Sequence, residues 1–253
     1  MTKDFMDCFL KDDTSSGFLD MPPVRLEVRS SRNEVHEVRN ENEWPIAHTQ
    51  YTKFYLSKQP LFLSLEPTEK TEETVYSAKQ GKALFNFNFD EEMELSGYMK
   101  LRVWVEARPG NTGDASPDDM AMFVAVNKLD RDGNSVRFNG SVGNKRDMVT
   151  RGCCKVSRRE LDTDESTDWH PVLKGTSEQK LKAGEIVPVD IELYPSSTFF
   201  FSGETLQLII ASDEIIPSPP YKKSVDCNHG KHVLHYGEKF DSYLLVTRIQ
   251  TKR

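Results

Sequence analysis

The chain has 253 residues, with 33 Lys and Arg against 40 Asp and Glu, which gives a formal net charge of −7 and a sequence pI near 5.5. An acidic chain of this kind lacks the basic surface that phosphate neutralisation requires, so we do not expect it to bind nucleic acid. Hydrophobic residues make up 37% of the chain and charged residues 29%, which is typical of a globular protein with a substantial core and argues against general disorder.

The sequence shows no sign of membrane insertion or secretion. No window approaches the ~18 uninterrupted apolar residues of a membrane-spanning helix. The N-terminal stretch MTKDFMDCFLKDD has acidic residues where a signal peptide would be apolar. Of the four cysteines, Cys153 and Cys154 are adjacent and poorly placed to bridge each other, so we expect no disulfide framework. These features predict a cytoplasmic protein without membrane contact.

The first predicted element is a short amphipathic helix from Thr2 to Lys11. Its apolar residues fall on one helical stripe, and a polar run from Asp12 to Gly17 ends it. The stripe consists of Phe5, Met6, Phe9 and Leu10. We therefore divide the chain into a helix with its linker over residues 1–20 and one domain over residues 21–253.

After Pro22 and Pro23 the hydrophobic period changes to two, which is typical of strands with one solvated face. Asp132-Gly133 is a strong hairpin signal between two such segments. About ten strands without helical crossovers predict an all-β, antiparallel sandwich. The segments are Val24 to Val28, Thr52 to Leu56, Leu61 to Leu65, Ala83 to Phe89, Glu94 to Val105, Met120 to Asp130, Ser135 to Val142, Ile186 to Leu193, Thr205 to Ala211 and Ser242 to Ile249.

Motifs for covalent or cofactor chemistry are missing from the sequence. The string nearest to a nucleophile elbow runs from Asn139 to Gly143, but it has Asn at its first position and no helix after it, so we interpret Ser141 as part of a turn. We find no Gly-rich phosphate loop, no C-x-x-C and no H-E-x-x-H motif. The sequence predicts no cofactor and no metal.

Three histidines recur every third residue, at His229, His232 and His235. In an extended segment this spacing places neighbours on opposite faces, and few other ligand types lie nearby, which disfavours a metal site. We interpret them as polar loop residues, with His229 as a candidate hydrogen-bonding or catalytic group in a cleft.

Aromatic residues supply the other candidates. Trp169 beside His170 can form an apolar wall with one polar group, while the alternative is that Trp169 simply packs over the sandwich edge. We take His170 as a second catalytic candidate. Trp104, Trp169 and Tyr221 are the candidate ligand-binding residues.

A series of short strings, in constant order from Phe5 to Arg253, resembles the C-terminal jelly-roll domain of X-Pro dipeptidyl-peptidases and cocaine-esterase-like (CocE/NonD) hydrolases. Each string is weak alone, but their shared order is specific. They are the helix from Phe5 to Lys11 with Gly17, Met21-Pro-Pro-Val-Arg-Leu, Asn42-Glu-Trp-Pro, Tyr51-Thr-Lys-Phe-Tyr-Leu, Glu94-Leu-Ser-Gly, Lys100-Leu-Arg-Val-Trp, Asp118-Asp-Met-Ala-Met-Phe-Val, Leu129-Asp-Arg-Asp-Gly, Val156-Ser-Arg-Arg-Glu-Leu, Leu181-Lys-Ala-Gly-Glu, Phe201-Ser-Gly-Glu-Thr-Leu and Ser242-Tyr-Leu-Leu.

The resemblance implies a jelly-roll β-sandwich of the galactose-binding-like type, preceded by the short N-terminal helix. In such hydrolases the Ser-Asp-His triad is on an α/β-hydrolase domain that comes earlier in the chain, and no residue here matches its motifs. The β domain there covers the active-site cleft and contributes to substrate pockets. The closing segment Val246-Thr-Arg-Ile departs from the family's usual Leu-Pro ending.

Two functional hypotheses follow. The first is a binding module for a small apolar or aromatic molecule or substrate, with either a hydrolase domain or a second copy of the chain as its protein partner. The second is a stand-alone enzyme of secondary metabolism, a cofactor-free cyclase or Diels-Alderase-type catalyst, which orients its substrate in the jelly-roll cleft. The second hypothesis requires a closed apolar pocket of ~300–1,000 Å³. On neither hypothesis is the chain alone a serine hydrolase.

Overall fold

The computed structural model describes residues 2–58, 60–140, 143–216 and 225–249. The predicted helix is confirmed as α1 (Thr2–Lys11), and short 3-10 turns follow it at Thr14–Ser16 and Phe18–Asp20. The strands are β1 (Val24–Ser31), β2 (Glu34–Glu41), β3 (Thr49–Ser57), β4 (Phe62–Ser64), β5 (Glu72–Ser77), β6 (Lys82–Asn88), β7 (Met93–Arg108), β8 (Ala121–Leu129), β9 (Ser135–Val136), β10 (Thr150–Lys155), β11 (Val187–Phe200), β12 (Thr205–Ala211), β13 (Lys231–Tyr236) and β14 (Tyr243–Ile249).

These strands form one curled sheet in the order β10-β8-β12-β6-β4-β3-β14-β7-β11-β1-β2, while β13 pairs with β5 and β7, and β9 pairs with β8. Side chains from β10, β8 and β12 pack into one core with side chains from β7 and β11, so the sheet folds over into the expected β-sandwich. The core includes Leu101 and Val103 from β7, Val124 from β8 and Leu208 from β12, all fully or almost fully buried. Burying these alternate residues is the main stabilising contribution to the fold.

The pairing is mixed, and this corrects the prediction of a purely antiparallel sandwich. β1 lies parallel to β11 through the pair Arg29 and Thr198, and β4 lies parallel to β6 through Phe62 and Asn86. Parallel neighbours need a long connection between them, and the chain supplies it here with intervening strands and loops instead of a helix.

The predicted hairpin at Asp132-Gly133 is confirmed between β8 and β9. Asp130 Oδ1 accepts hydrogen bonds from the backbone N–H groups of Asp132 and Asn134, at 3.0 and 2.8 Å. Gly133 has a φ of +82°, which glycine adopts without strain. The segment after it is strand only over Ser135–Val136, shorter than predicted.

The two layers approach each other closely where β10 passes β11. A Cβ at Gly152 would lie 1.9 Å from the carbonyl oxygen of Glu192, so only glycine fits at this point. At the far end of the strand order, β2 pairs with β1 and forms an edge that carries Glu34, Glu37, Arg39 and Glu41.

The histidine-containing segment was predicted as a loop, and this is wrong for β13. His232 points into the core and is fully buried, whereas His235 faces the opposite side of the sheet and is also buried. His229 precedes the strand and is exposed. No helix among the described residues is long and apolar enough to cross a membrane.

Candidate functional site

The outer face of the long strand β7 organises the candidate site. Leu101, Val103 and Val105 are buried in the core, so the alternate residues Arg102 and Trp104 project from the other face. Neighbouring strands β3, β14 and β11 extend this face on both sides of β7.

One end of the face carries an aromatic patch, which we define as Trp44, Tyr51, Tyr98, Trp169 and His170. The ring of Trp169 stacks on Tyr51 at 5.8 Å between centroids and 14° between planes, and it lies 4.9 Å from Tyr98. Tyr98 also contacts His170 at 4.9 Å and Trp44 at 5.9 Å. All five side chains are half-buried, so each presents part of its ring to solvent.

The loop over residues 160–174 carries Trp169 and His170 to the patch. Its base is closed by the backbone bonds from Asp162 N–H to the Val172 carbonyl, 2.8 Å, and from Lys174 N–H to the Glu160 carbonyl, 2.9 Å. Near its tip, the backbone N–H of His170 donates to Thr167 Oγ1 at 3.0 Å. The aromatic pair is therefore held on a closed loop.

Tyr98 reaches the patch because β7 is irregular at this point. Its pairing with β14 shifts between Leu245 and Arg248, and Gly97 has a φ of +139°. A Cβ at Gly97 would lie 3.0 to 3.2 Å from the side chain of Thr247, so glycine allows the close strand approach beside Tyr98.

Three hydroxyl groups in the strands beneath the patch have buried oxygen atoms with no hydrogen-bond partner among the described residues. They belong to Tyr51, Ser196 and Thr247. Thr247 is the strand partner of Tyr51, and Ser196 is the strand partner of Gly97. Burial raises the pKa of the Tyr51 phenol, with a smaller contribution from Tyr98, so it stays protonated at neutral pH. Since buried hydroxyls usually pair, three unpaired hydroxyls side by side distinguish the strands beneath the patch.

The imidazole ring of His170 has one polar contact. Its Nε2 lies 3.2 Å from Glu192 Oε1 on β11. The carboxylate can orient the imidazole ring. This geometry makes His170 a hydrogen-bonding group at the edge of the patch.

Trp104 lies at the other end of the face, about 20 Å along β7 from Tyr98 at ~3.3 Å per residue. Its indole Nε1–H donates to Asp241 Oδ1 at 2.7 Å, and its ring packs on Phe240 at 5.4 Å. The structure therefore does not bring Trp104 and Trp169 into one site.

A charged network lies between the two ends. Asp190 lies 3.1 Å from Lys100 Nζ and accepts a 2.7 Å bond from Arg102, whose Nε lies 3.1 Å from both carboxylate oxygens of Asp241. Burial alone would raise the pKa of Asp241, but bonds from Trp104 and Arg102 outweigh it and hold the pKa below its ordinary value. Nearby, burial raises the pKa of Tyr243 to about 12. The charged side chains of this face are therefore paired with one another.

The remaining candidates do not join the patch. Tyr221 and Ser141 lie outside the described residues. His229 is exposed, and no ring contact places it in the patch. His235 instead pairs with Glu106 at 2.9 Å on the Trp104 side of the face. Within the described ranges, no group of three or more His, Cys, Asp or Glu side chains is arranged to hold a metal ion.

Sequence patterns identified Trp169 and His170 but missed Trp44, Tyr51 and Tyr98. Tyr51 and Tyr98 occupy outward positions on β3 and β7, and a search for aromatic residues at solvated strand positions would have found them. No local pattern shows that these positions meet in space.

Comparisons with known proteins identify the class to which this arrangement belongs. The family model described as "X-Pro dipeptidyl-peptidase C-terminal non-catalytic domain" matches residues 16–245. Two crystal structures of a CocE/NonD family hydrolase from Staphylococcus aureus align over 98% of this chain and 45% of theirs, at 32% identity and TM-scores of 0.87 and 0.88. An aminopeptidase from a Thaumarchaeota archaeon shares the fold at 13% identity and a TM-score of 0.65, over 99% of this chain and 43% of that one. No match was found among curated proteins.

The sandwich is thus a non-catalytic domain of the kind that accompanies hydrolases. The chain belongs to the X-Pro dipeptidyl-peptidase C-terminal domain family, and this confirms the resemblance seen in the sequence. It spans less than half the length of the S. aureus hydrolase.

Proposed function

We propose that this domain works beside a hydrolase domain as a binding module, and that the aromatic patch binds an apolar or aromatic part of a small molecule. The observation that carries the proposal is the contact of Trp169 and His170, from a closed loop, with Tyr98 and Tyr51 on two strands. Half-exposed aromatic rings offer large contact areas at low entropic cost.

The polar groups around the patch are also suited to binding a small molecule. Small-molecule sites combine apolar walls with a few polar groups that fix orientation. Here the walls are aromatic, and the polar groups are the His170 and Glu192 pair. A ligand with one aromatic ring and one amide or ester group matches this combination.

The test uses N-acetyl-L-phenylalaninamide as the probe in saturation-transfer NMR, followed by a titration. The unaltered chain should bind it, and Trp169→Ala should weaken binding at least tenfold, since stacking area is lost. Trp104→Ala is the matched control, because it removes a half-buried tryptophan from the other end of the same face. Equal weakening by both variants, or no binding by the unaltered chain, would contradict the proposal.

The cyclase alternative stays a prediction, and the geometry of the patch does not favour it. The patch is an open, half-exposed surface, whereas a cyclase needs a closed pocket that holds the whole reacting substrate. Hydrolysis of 4-nitrophenyl acetate by the chain alone would contradict the prediction that it lacks a nucleophile.

A further inference from the structure

We propose that a cavity on the outer face of β6, β12 and β8 binds a free α-amino acid whose side chain ends in an amide group. The cavity has a volume of about 450 Å³, which is within the range of small-molecule sites. It lies on the layer of the sandwich that does not carry the aromatic patch, so this inference goes beyond the proposed function and does not depend on it.

Two rows of side chains, one aliphatic and one amide, run across the strands beneath the cavity. Alternate residues of β12 point into the core, so Gln207 and Ile209 point to the outer face. Ile209 lies opposite Leu84 on β6, and Gln207 lies opposite Asn86 on β6 and Asn127 on β8. The surface therefore changes from aliphatic to amide over two residues of β12, about 7 Å.

The amide row is joined by hydrogen bonds that run in one direction. Asn127 Nδ2 donates to Gln207 Oε1 at 3.4 Å, and Gln207 Nε2 donates to Asn86 Oδ1 at 3.1 Å. Asn127 Nδ2 also donates to Ser135 Oγ at 3.0 Å, so both of its amide hydrogens are used. Asn127 is 2% exposed, and its Oδ1 has no hydrogen-bond partner among the described residues. Since buried acceptors usually pair, a ligand with an N–H donor is favoured at this end of the row.

The cavity also carries one positive and one negative side chain. Lys82 lies two residues before Leu84 on the same face of β6, on the side away from the amide row, and Glu214 comes from the segment after β12. Neither forms an ion pair with another described residue, and Oε2 of Glu214 is a buried atom without a hydrogen-bond partner among them. An ammonium and a carboxylate that are not paired with each other can each bind an opposite charge, and an α-amino acid supplies both.

Together these features favour one ligand chemistry. The ammonium group of the ligand binds Glu214, and its carboxylate binds Lys82. Its methylene groups lie on Leu84 and Ile209, and its side-chain amide donates to Asn127 Oδ1. A neutral sugar would leave the charges of Lys82 and Glu214 without counterparts, and an aliphatic amino acid would leave Asn127 Oδ1 without a donor.

The test is an NMR titration of the backbone amides of the full chain, with L-glutamine as the probe. We expect saturable shifts at Leu84, Asn127 and Gln207 and none at Trp169. L-Leucine has the same ammonium and carboxylate groups without the amide, and it should bind at least fivefold more weakly. Butyramide has the amide without the charged groups, and it should not reach saturation.

Substitutions then assign each contact. Lys82→Gln and Glu214→Gln should each weaken L-glutamine binding at least fivefold, whereas Lys231→Gln, at an exposed position on β13, should leave it within twofold. Asn127→Ala should weaken L-glutamine binding to the level of L-leucine and leave L-leucine binding unchanged, which also shows that the variant is folded. The comparison of L-leucine with L-glutamine on the unaltered chain tests the same contact without a substitution.

The absence of saturable shifts with millimolar L-glutamine, or shifts confined to the aromatic patch, would overturn the proposal. So would binding of L-leucine or butyramide as tight as that of L-glutamine. Saturable binding of D-glucose in place of L-glutamine would also overturn it, since the ligand would then be a polyol. None of these outcomes bears on the proposed function, which is tested at Trp169 with a different probe.

Discussion

The rings of Tyr76 and His232 meet edge to face inside the sandwich, with 5.3 Å between centroids and 72° between planes. Neither nitrogen of His232 nor the hydroxyl of Tyr76 has a hydrogen-bond partner among the described residues. Burial lowers the pKa of His232 to about 4 and raises the pKa of Tyr76. Both rings are therefore neutral at pH 7.

The burial of His232 makes stability depend on pH. The unfolded chain binds a proton at His232 near pH 6.5, whereas the folded chain does so only near pH 4, so stability is complete above about 6.5 and falls as the pH drops towards 4. Between pH 7.5 and 5 the unfolding free energy should fall by about 2 kcal/mol from this group, at about 1.4 kcal/mol per pH unit.

Urea unfolding at the two pH values checks this expectation. His232→Phe should remove about 2 kcal/mol of the pH dependence, while His229→Gln, at an exposed position, should leave it unchanged. The same pH dependence in His232→Phe and the unaltered protein would show that another group is responsible.

Lys128 should be one of the most sensitive positions for stability. Its side chain is 1% exposed, and its Nζ donates to the carbonyls of Ser30 and Phe199 at 2.9 and 2.7 Å and pairs with Glu204 at 2.7 Å. Burial lowers the pKa of Lys128, and Glu204 opposes that effect. Lys128→Ala would leave a buried carboxylate unpaired and should cost about 3–5 kcal/mol in urea unfolding. Lys82→Ala, on a solvated position of β6, should cost less than about 0.5 kcal/mol.

Any side chain at Gly152 is predicted to lower the stability of the fold. The Cβ of Gly152→Ala would overlap the Glu192 carbonyl, so β10 and β11 must move apart. We expect a loss of about 1–3 kcal/mol, measured by thermal or urea unfolding. Cys153→Ala, at the next and exposed position on the same strand, serves as the control. A loss no larger than that of the control would mean that the two layers can separate here without strain.

Glu160 should control the loop that carries Trp169. It pairs with Lys174 at 2.8 Å and accepts hydrogen bonds from Ser177 and Gln179. Glu160→Ala should speed amide exchange over residues 162–172 and weaken probe binding severalfold, with little change in the unfolding midpoint, because these contacts are near the surface. If Glu160→Ala weakened probe binding but left amide exchange over residues 162–172 unchanged, its effect on binding would not come from loosening the loop.

Sequence reasoning predicted much of the fold because local patterns specify it. The apolar stripe of α1 and the alternation in β7, β12 and β14 are readable without tertiary information. β13 was missed because its histidines and flanking glycines read as a loop, whereas burial on both faces stabilises it as a strand. The parallel contacts of β1 and β4 were missed because pairing direction depends on how distant strands meet.

The candidate site was predictable only in part. Trp169 and His170 are adjacent in sequence, so one string revealed both. The other rings of the patch come from separate segments and meet only through the strand register around Gly97. Trp104 shares β7 and its outer face with Tyr98 but lies too far along the strand to join the patch.

The charges along β2 have a consequence for behaviour at high concentration. An uncovered strand edge is a template on which another molecule can add a strand and begin a fibre. Arg39 of β2 pairs with Glu37 and Glu41 on the same strand and with Glu94 on β7, so an incoming backbone would have to disrupt these ion pairs. The charges of β2 therefore oppose strand addition at this edge, even though its backbone is open on one side.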